Sequence, residues 1–154
     1  MDERPREYEA IWLDVSPRLW RAIFAYTGGR KEITDDVVVE SFARVMERDG
    51  EVRDPSAYLF RVAFRLAASE LKRERRAVEP DERAVEDAHG MLDLLRALRA
   101  LTPSQRAAVY LHYEADLPVR EVARAMGTSP AAVRVHLMRG RRRLAVLLTD
   151  GDDQ

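Results

Sequence analysis

The sequence contains no cysteine, which excludes disulfides and thiolate-bound metal. Its three histidines, His89, His112 and His136, stand apart without the spacing of metal ligands. No apolar run approaches the roughly 20 residues needed to span a bilayer, so membrane insertion is not expected and a cytoplasmic location is. No nucleophile, general base and orienting partner form a recognisable constellation. The chain therefore reads as a binding protein rather than an enzyme, with no cofactor and no small-molecule substrate implied. Nor is there an excess of positive charge, since 26 Lys and Arg face 27 Asp and Glu for a net charge of −1.

The distribution of that charge says more than its sum. Residues 1–52 carry 8 basic and 12 acidic side chains, 53–76 carry 7 and 3, 77–90 carry 1 and 5, 91–149 carry 10 and 4, and 150–154 carry 0 and 3. Two basic segments thus alternate with acidic ones. The 154 residues, 46% apolar and 34% charged, suffice for one ordinary domain or two small ones.

The most informative stretch runs from Leu117 to Leu144. Val119, Val122, Ala123 and Met126 recur at helical spacing, and Gly127 supplies the left-handed conformation that ends a helix. Ser129 can cap a second helix, with Pro130 at its first position. Val133, Leu137 and Leu144 mark the buried side of that helix and leave Arg134, Val135, Met138 and Arg139 outward, continued by Arg141, Arg142 and Arg143. An ordinary helical hairpin with solvated arginines would share the basic run. Turn, cap, apolar spacing and basic face together favour a DNA-reading helix-turn-helix.

Upstream, Tyr8, Ile11, Trp12, Val15, Leu19, Ile23 and Phe24 trace one side of a helix that Pro17 should kink or divide. Thr27-Gly28-Gly29-Arg30-Lys31 is a loop without the full spacing of a nucleotide-binding loop. Thr34 is the expected cap of the next helix, whose stripe is Val38, Phe42 and Val45 and whose exposed side bears Asp35, Glu40 and Glu47. Asp54 and Pro55 open a third helix, buried through Leu59, Val62, Ala63, Leu66, Ala67 and Leu71. Its other side offers Tyr58, Arg61, Phe64, Arg65, Lys72, Arg73, Arg75 and Arg76, rings and cations suited to unpaired bases and phosphates. Aromatic residues on such a helix are more often core than base platforms.

Residues 77–90, with Pro80 and Gly90, lack periodicity and mark an acidic linker between two helical units, 1–76 and 91–149. Met91, Leu94, Leu95, Leu98 and Leu101 form a helix, and Thr102-Pro103-Ser104-Gln105 is a capping box opening another that carries Val109, Tyr110 and Tyr113. Residues 150–154 should be a frayed acidic tail. The expected fold is all-α, two small helical domains joined by a short linker.

In order, these parts resemble an extracytoplasmic-function (ECF) RNA polymerase sigma factor, which keeps sigma domains two and four. The resemblance rests on Ile33-Thr-Asp-Asp-Val-Val-Val-Glu-Ser-Phe42, Arg53-Asp-Pro-Ser-Ala-Tyr-Leu-Phe-Arg-Val-Ala63, and Leu101-Thr-Pro-Ser-Gln105 followed by the helix-turn-helix. It implies that Asp35, Asp36, Val39, Glu40 and Phe42 dock on core RNA polymerase. Likewise, it implies that Tyr58 to Arg76 capture the melted minus-ten strand and that Arg134, Val135, Met138 and Arg139 read the duplex minus-thirty-five element. His112 and Arg141 to Arg143 would then lie near phosphates. It also brings the expectation of an anti-sigma partner. A helix-turn-helix regulator acting without polymerase is the alternative. The chain departs from the usual family residues at Val39, Tyr58, Arg65, Ser69 and Ala132, mainly in the first half.

Overall fold

The computed structural model describes residues 4–48, 50–73, 83 and 92–152. Every element among them is helical: α1 (Arg4–Tyr26), α2 (Lys31–Glu47), α3 (Pro55–Arg73), α4 (Leu92–Leu98), α5 (Pro103–Val109), a π-helical turn (Tyr110–Glu114), α6 (Val119–Met126) and α7 (Pro130–Asp152). None of the described helices is long and apolar enough to cross a membrane. Met91, Arg75, Arg76 and His89, with nearly all of the expected linker, lie outside the described residues.

The first half is a three-helix unit. α1 buries Val15, Leu19, Ile23 and Phe24 and runs unbroken through Pro17, so the expected division does not occur. Proline removes one hydrogen bond, to the carbonyl of Leu13 one turn earlier. Both Leu13 and Pro17 are exposed, which leaves that carbonyl on the side where water can serve it. α1 meets α2 through Trp12 and Phe42, edge to face at 4.7 Å and 72°, a pairing worth about 0.5–1.5 kcal/mol beyond its burial.

The start of α2 also differs from expectation. The helix begins at Lys31, with Arg30 at the cap position and no side-chain cap. Thr34 lies inside it, fully buried, donating its hydroxyl hydrogen to the Arg30 carbonyl at 2.7 Å. A threonine bonding the preceding turn satisfies itself within the helix, and Thr27 beside it bonds the Phe24 carbonyl at 3.1 Å. The cap signature of Thr34 in sequence is therefore an interior hydroxyl between two turns. Asp54 does cap α3, accepting from the Ala57 amide at 3.1 Å.

In the second half, Leu95, Leu98 and Leu101 are buried, with Leu101 just past the end of α4. Thr102 and Gln105 form both bonds of the capping box, at 3.3 and 3.2 Å. The expected continuation of α5 through Tyr113 instead widens into the π-helical turn. α7 then crosses α5 at Gly140, where a Cβ would approach Val109 Cγ2 to 2.9 Å. The helix continues through Asp150 to Asp152, past the expected start of the frayed tail.

The two halves pack directly on each other. α3 lies against α6, and α1 against α5 and the π-helical turn, so a single buried cluster includes Ile23 and Ala63 from the first half with Leu98, Leu111 and Val122 from the second.

Replacing Gly140 with Ala should destabilise the fold by up to about 2 kcal/mol, because overpacking costs roughly 1–3 kcal/mol against a helix-propensity gain of about 1. Urea unfolding measures it, and Gly140→Val should cost more than Gly140→Ala.

Candidate nucleic-acid interface

The helix-turn-helix is built from three local devices. Gly127 ends α6 in the left-handed region at φ 69°, ψ 36°, which residues with a Cβ resist. Ser129 Oγ accepts from the Ala132 amide at 3.1 Å, satisfying one free donor at the start of α7. Val122, Ala123, Val133 and Leu137 are buried between the helices, and this fixes which side of α7 faces out. That side carries Arg134, Val135, Met138 and Arg139, all exposed, followed by exposed Arg141, Arg142 and Arg143. All seven residues share the outer surface that helical periodicity assigns them.

Two residues near this surface carry no signal in sequence. Tyr113, 46% exposed on the π-helical turn, accepts through its hydroxyl a hydrogen bond from Arg141 Nη1 at 2.9 Å. The two are 28 positions apart, beyond any local pattern, and the wider turn is what brings the phenol under α7. His112 faces the other way: half-buried, it bonds the Leu117 carbonyl through Nδ1 at 2.8 Å and sets its ring edge-on to Tyr113 at 4.9 Å. The bond ties its ring to the segment that leads into α6. Gly140, the crossing point with α5, is the second residue without a sequence signal.

On α3 the structure separates the expected set. Arg61, Arg65, Lys72 and Arg73 are exposed. Tyr58 is half-buried, with the Arg48 guanidinium 5.8 Å over its ring. Phe64, expected among the outward rings, is only 5% exposed and stacks edge-on against Tyr26 at 5.1 Å. The correction has a simple cause: α6 and the start of α5 cover this side of α3, so its cations line a cavity of about 330 Å³ shared with Ser104, Met126 and Gly127.

The acidic edge of α2 forms a groove of about 600 Å³ with α3, lined by Glu32, Asp36, Val39, Glu40, Leu66 and Glu70. Val39 is 62% exposed, and Glu40 pairs with Arg44 at 3.0 Å. Phe42 turns away from this edge toward Tyr8 and Trp12. Asp35 is held by Trp20 Nε1 at 2.8 Å and by Lys31. Partial burial pushes its carboxyl pKa upward, but the hydrogen bonds from Lys31 and Trp20 outweigh this and hold it below the usual carboxylate value.

Residues 91–144 match the family described as Sigma-70, region 4. Over 91% of its length the chain is 31% identical to the ECF RNA polymerase sigma factor BldN of Streptomyces coelicolor, of which it spans 60%. Along nearly its whole length the chain is thus similar to ECF sigma factors, and the family match itself lies in its second half. It is also 23% identical to the RNA polymerase sigma factor SigV of Bacillus subtilis over 90% of its own length and 89% of that protein. In fold, the chain matches RpoE of Bartonella quintana, solved in complex with the anti-sigma factor NepR, at a TM-score of 0.74 and 18% identity, covering 94% of this chain and 98% of that one.

Two measurements follow from this geometry. Removing one phosphate-neutralising side chain lowers the slope of log affinity against log salt by about 0.9. Arg141→Ala should therefore flatten that slope for duplex DNA by roughly one unit, and Tyr113→Phe, which leaves the guanidinium unanchored, should weaken binding less than Arg141→Ala does. For Asp35, a depressed folded pKa means stability that is present above the unfolded value and lost as pH falls through the folded one. Asp35→Asn should remove that acid-side loss from the stability profile below about pH 4, as followed by thermal melts.

Proposed function

We propose that this chain acts as an alternative sigma factor, binding core RNA polymerase and directing it to promoters of a particular sequence. The observation that carries this is the exposed row Arg134, Val135, Met138 and Arg139 on a capped second helix, in a chain that is similar to ECF sigma factors and also bears a cationic helix and an acidic groove. Domain two would comprise residues 1–76 and domain four residues 91–149, with 77–90 as the linker between them.

Each surface suits a distinct task. The outer row of α7 fits the major groove of a duplex minus-thirty-five element, where a bidentate arginine contact discriminates by about 1–3 kcal/mol. Arg141, Arg142 and Arg143 would neutralise flanking phosphates, fixing register without reading sequence. On α3, Arg61, Arg65, Lys72 and Arg73 would follow the backbone of the melted minus-ten strand, with half-buried Tyr58 as a ring against which a base stacks. Stacking contributes about 1–3 kcal/mol per base, so a few captured bases bias strand opening that the polymerase completes. The groove edged by Asp36, Val39 and Glu40 offers apolar contact and negative charge to a basic helical element of the polymerase, while Asp35 and Phe42 hold α2 in place behind it. Because RpoE was solved with an anti-sigma factor, we extend to this chain a partner of the same kind. It acts on DNA and polymerase in the cytoplasm and itself needs no catalytic residue.

The test is reconstitution. Mixed with core polymerase, the protein should form a holoenzyme that makes discrete transcripts from genomic fragments, and failure to form one sinks the proposal. Arg134→Ala with Arg139→Ala should reduce promoter selectivity while core binding is retained; a parallel drop in both would mean that α7 does not read promoter DNA independently of folding.

A further inference from the structure

Several surface arginines are tied to an acid on the neighbouring turn: Arg18 to Asp14, Arg44 to Glu40, Arg73 to Glu70 and Arg124 to Glu121. Pairs of this kind cancel the charge they hold. Arg141 is held differently. Its Nη1 donates to the Tyr113 hydroxyl at 2.9 Å, and a phenol orients a guanidinium without neutralising it. Among the described residues no carboxylate pairs with Arg141. Accepting that bond also leaves the phenol its own hydrogen to give, and among the described residues no acceptor takes it. Both side chains are exposed, so a free donor and an intact cation open onto the same solvent.

Each arm has a packed support. The Tyr113 ring lies edge-on to His112, which is itself tied to the Leu117 carbonyl. Beneath them Tyr110 and Leu111 are buried, and their carbonyls accept from the Ala115 and Leu117 amides at 3.1 and 3.0 Å, closing a π-helical turn of the kind that is rare and frequent at functional sites. Arg141 follows Gly140, where α7 presses on Val109, the last residue before that turn. The crossing of α5 and α7 therefore sets how far the phenol stands from the guanidinium. Along α7, positions 134 and 141 are two helical turns apart on one face, about 10 Å. With Arg134 at base edges in a major groove about 12 Å wide, Arg141 stands at the rim, where the phosphates are.

We propose that Tyr113 and Arg141 form a single seat for one phosphate of duplex DNA: the phenol holds the guanidinium and gives its own hydrogen to an oxygen of the same phosphate. A residue outside the reading helix then fixes where α7 stands along the duplex, since phosphate contacts set register and base contacts set sequence. This rests on α7 being the duplex-reading helix.

The probe is a short duplex that the full-length chain selects from a random pool, with single phosphates replaced one at a time by uncharged methylphosphonates. For the wild type, one position should stand out. Tyr113→Phe removes only a hydroxyl, so it should lower affinity roughly two- to tenfold, the span of one net hydrogen bond. It should leave the salt slope unchanged and shrink the methylphosphonate penalty at that one position. Arg141→Lys also keeps the charge and the slope, but an ammonium lacks the planar fork that takes phenol and phosphate together. Combining the two changes should weaken binding no further than the worse of them alone, as residues that act as a unit are not additive. Both positions are exposed, so neither change should move the thermal melt. Wild-type affinity in Tyr113→Phe overturns the seat, as does an unchanged methylphosphonate profile or a double variant whose losses multiply. A pool that yields no preferred duplex removes the reading of α7 and the seat with it, whereas a preferred duplex indifferent to Tyr113 removes the seat alone.

Discussion

Carrying a cationic helix and a cationic domain in one small chain creates a problem of packing. Like charges on facing surfaces repel, yet here α3 and the helix-turn-helix lie together over one buried cluster. The arrangement holds because the charges are kept at the margins: Arg61, Arg65 and Lys72 retain access to solvent, while the buried cluster shared by the two halves includes Phe64 and Ala107, with Met126 packed against it. Arg106, the one buried cation among the described residues, is matched to carbonyl oxygens rather than to an acid. Backbone carbonyls at helix ends are the available negative partners where no carboxylate is at hand.

Local signals in the sequence were faithful wherever the chemistry was local. Gly127, Ser129, Asp54 and the Thr102–Gln105 pair do in the structure what their spacing implies. The outer row of α7 was legible for the same reason, since helical periodicity and a turn fix it without reference to other elements. What was not legible required knowledge of neighbours. Phe64 belongs to the outer side of α3 by periodicity, and in the fold its ring packs on Tyr26 of α1, 38 positions away in the sequence. Thr34 has the pattern of a cap, but Thr27 and the Arg30 carbonyl offer its hydroxyl an interior place. Pro17 reads as a breaker, and its cost is small because the carbonyl it strands faces water. Tyr113 under Arg141 needs a widened turn that no propensity announces.

The three surfaces differ in how far their geometry is set. The reading row of α7 sits on a helix anchored by Val133 and Leu137, both essentially buried, so its side chains project from a rigid support. The acidic groove between α2 and α3 is likewise built on two packed helices, with Asp35 fastened at one end by an indole and an ammonium. The cationic side of α3 is different. Its backbone is equally well packed on the first half, but its outer face is half occupied by the other domain, and the rings expected to stack on bases already stack on Tyr26 or lie beneath Arg48.

Gly140 carries a mechanical consequence. α7 has 23 residues and so extends roughly 34 Å at about 1.5 Å per residue, and the hydrogen that stands for a side chain at Gly140 makes the crossing with α5 a fulcrum. Arg134 lies six residues to one side of it, about 9 Å along the axis, and the far end of the rod lies beyond the other. Any bulk added at the fulcrum tilts the rod, and the tilt appears at the reading edge as a change in the angle at which α7 would enter a groove. The residue with no side chain thereby sets the aim of the ones that have the longest.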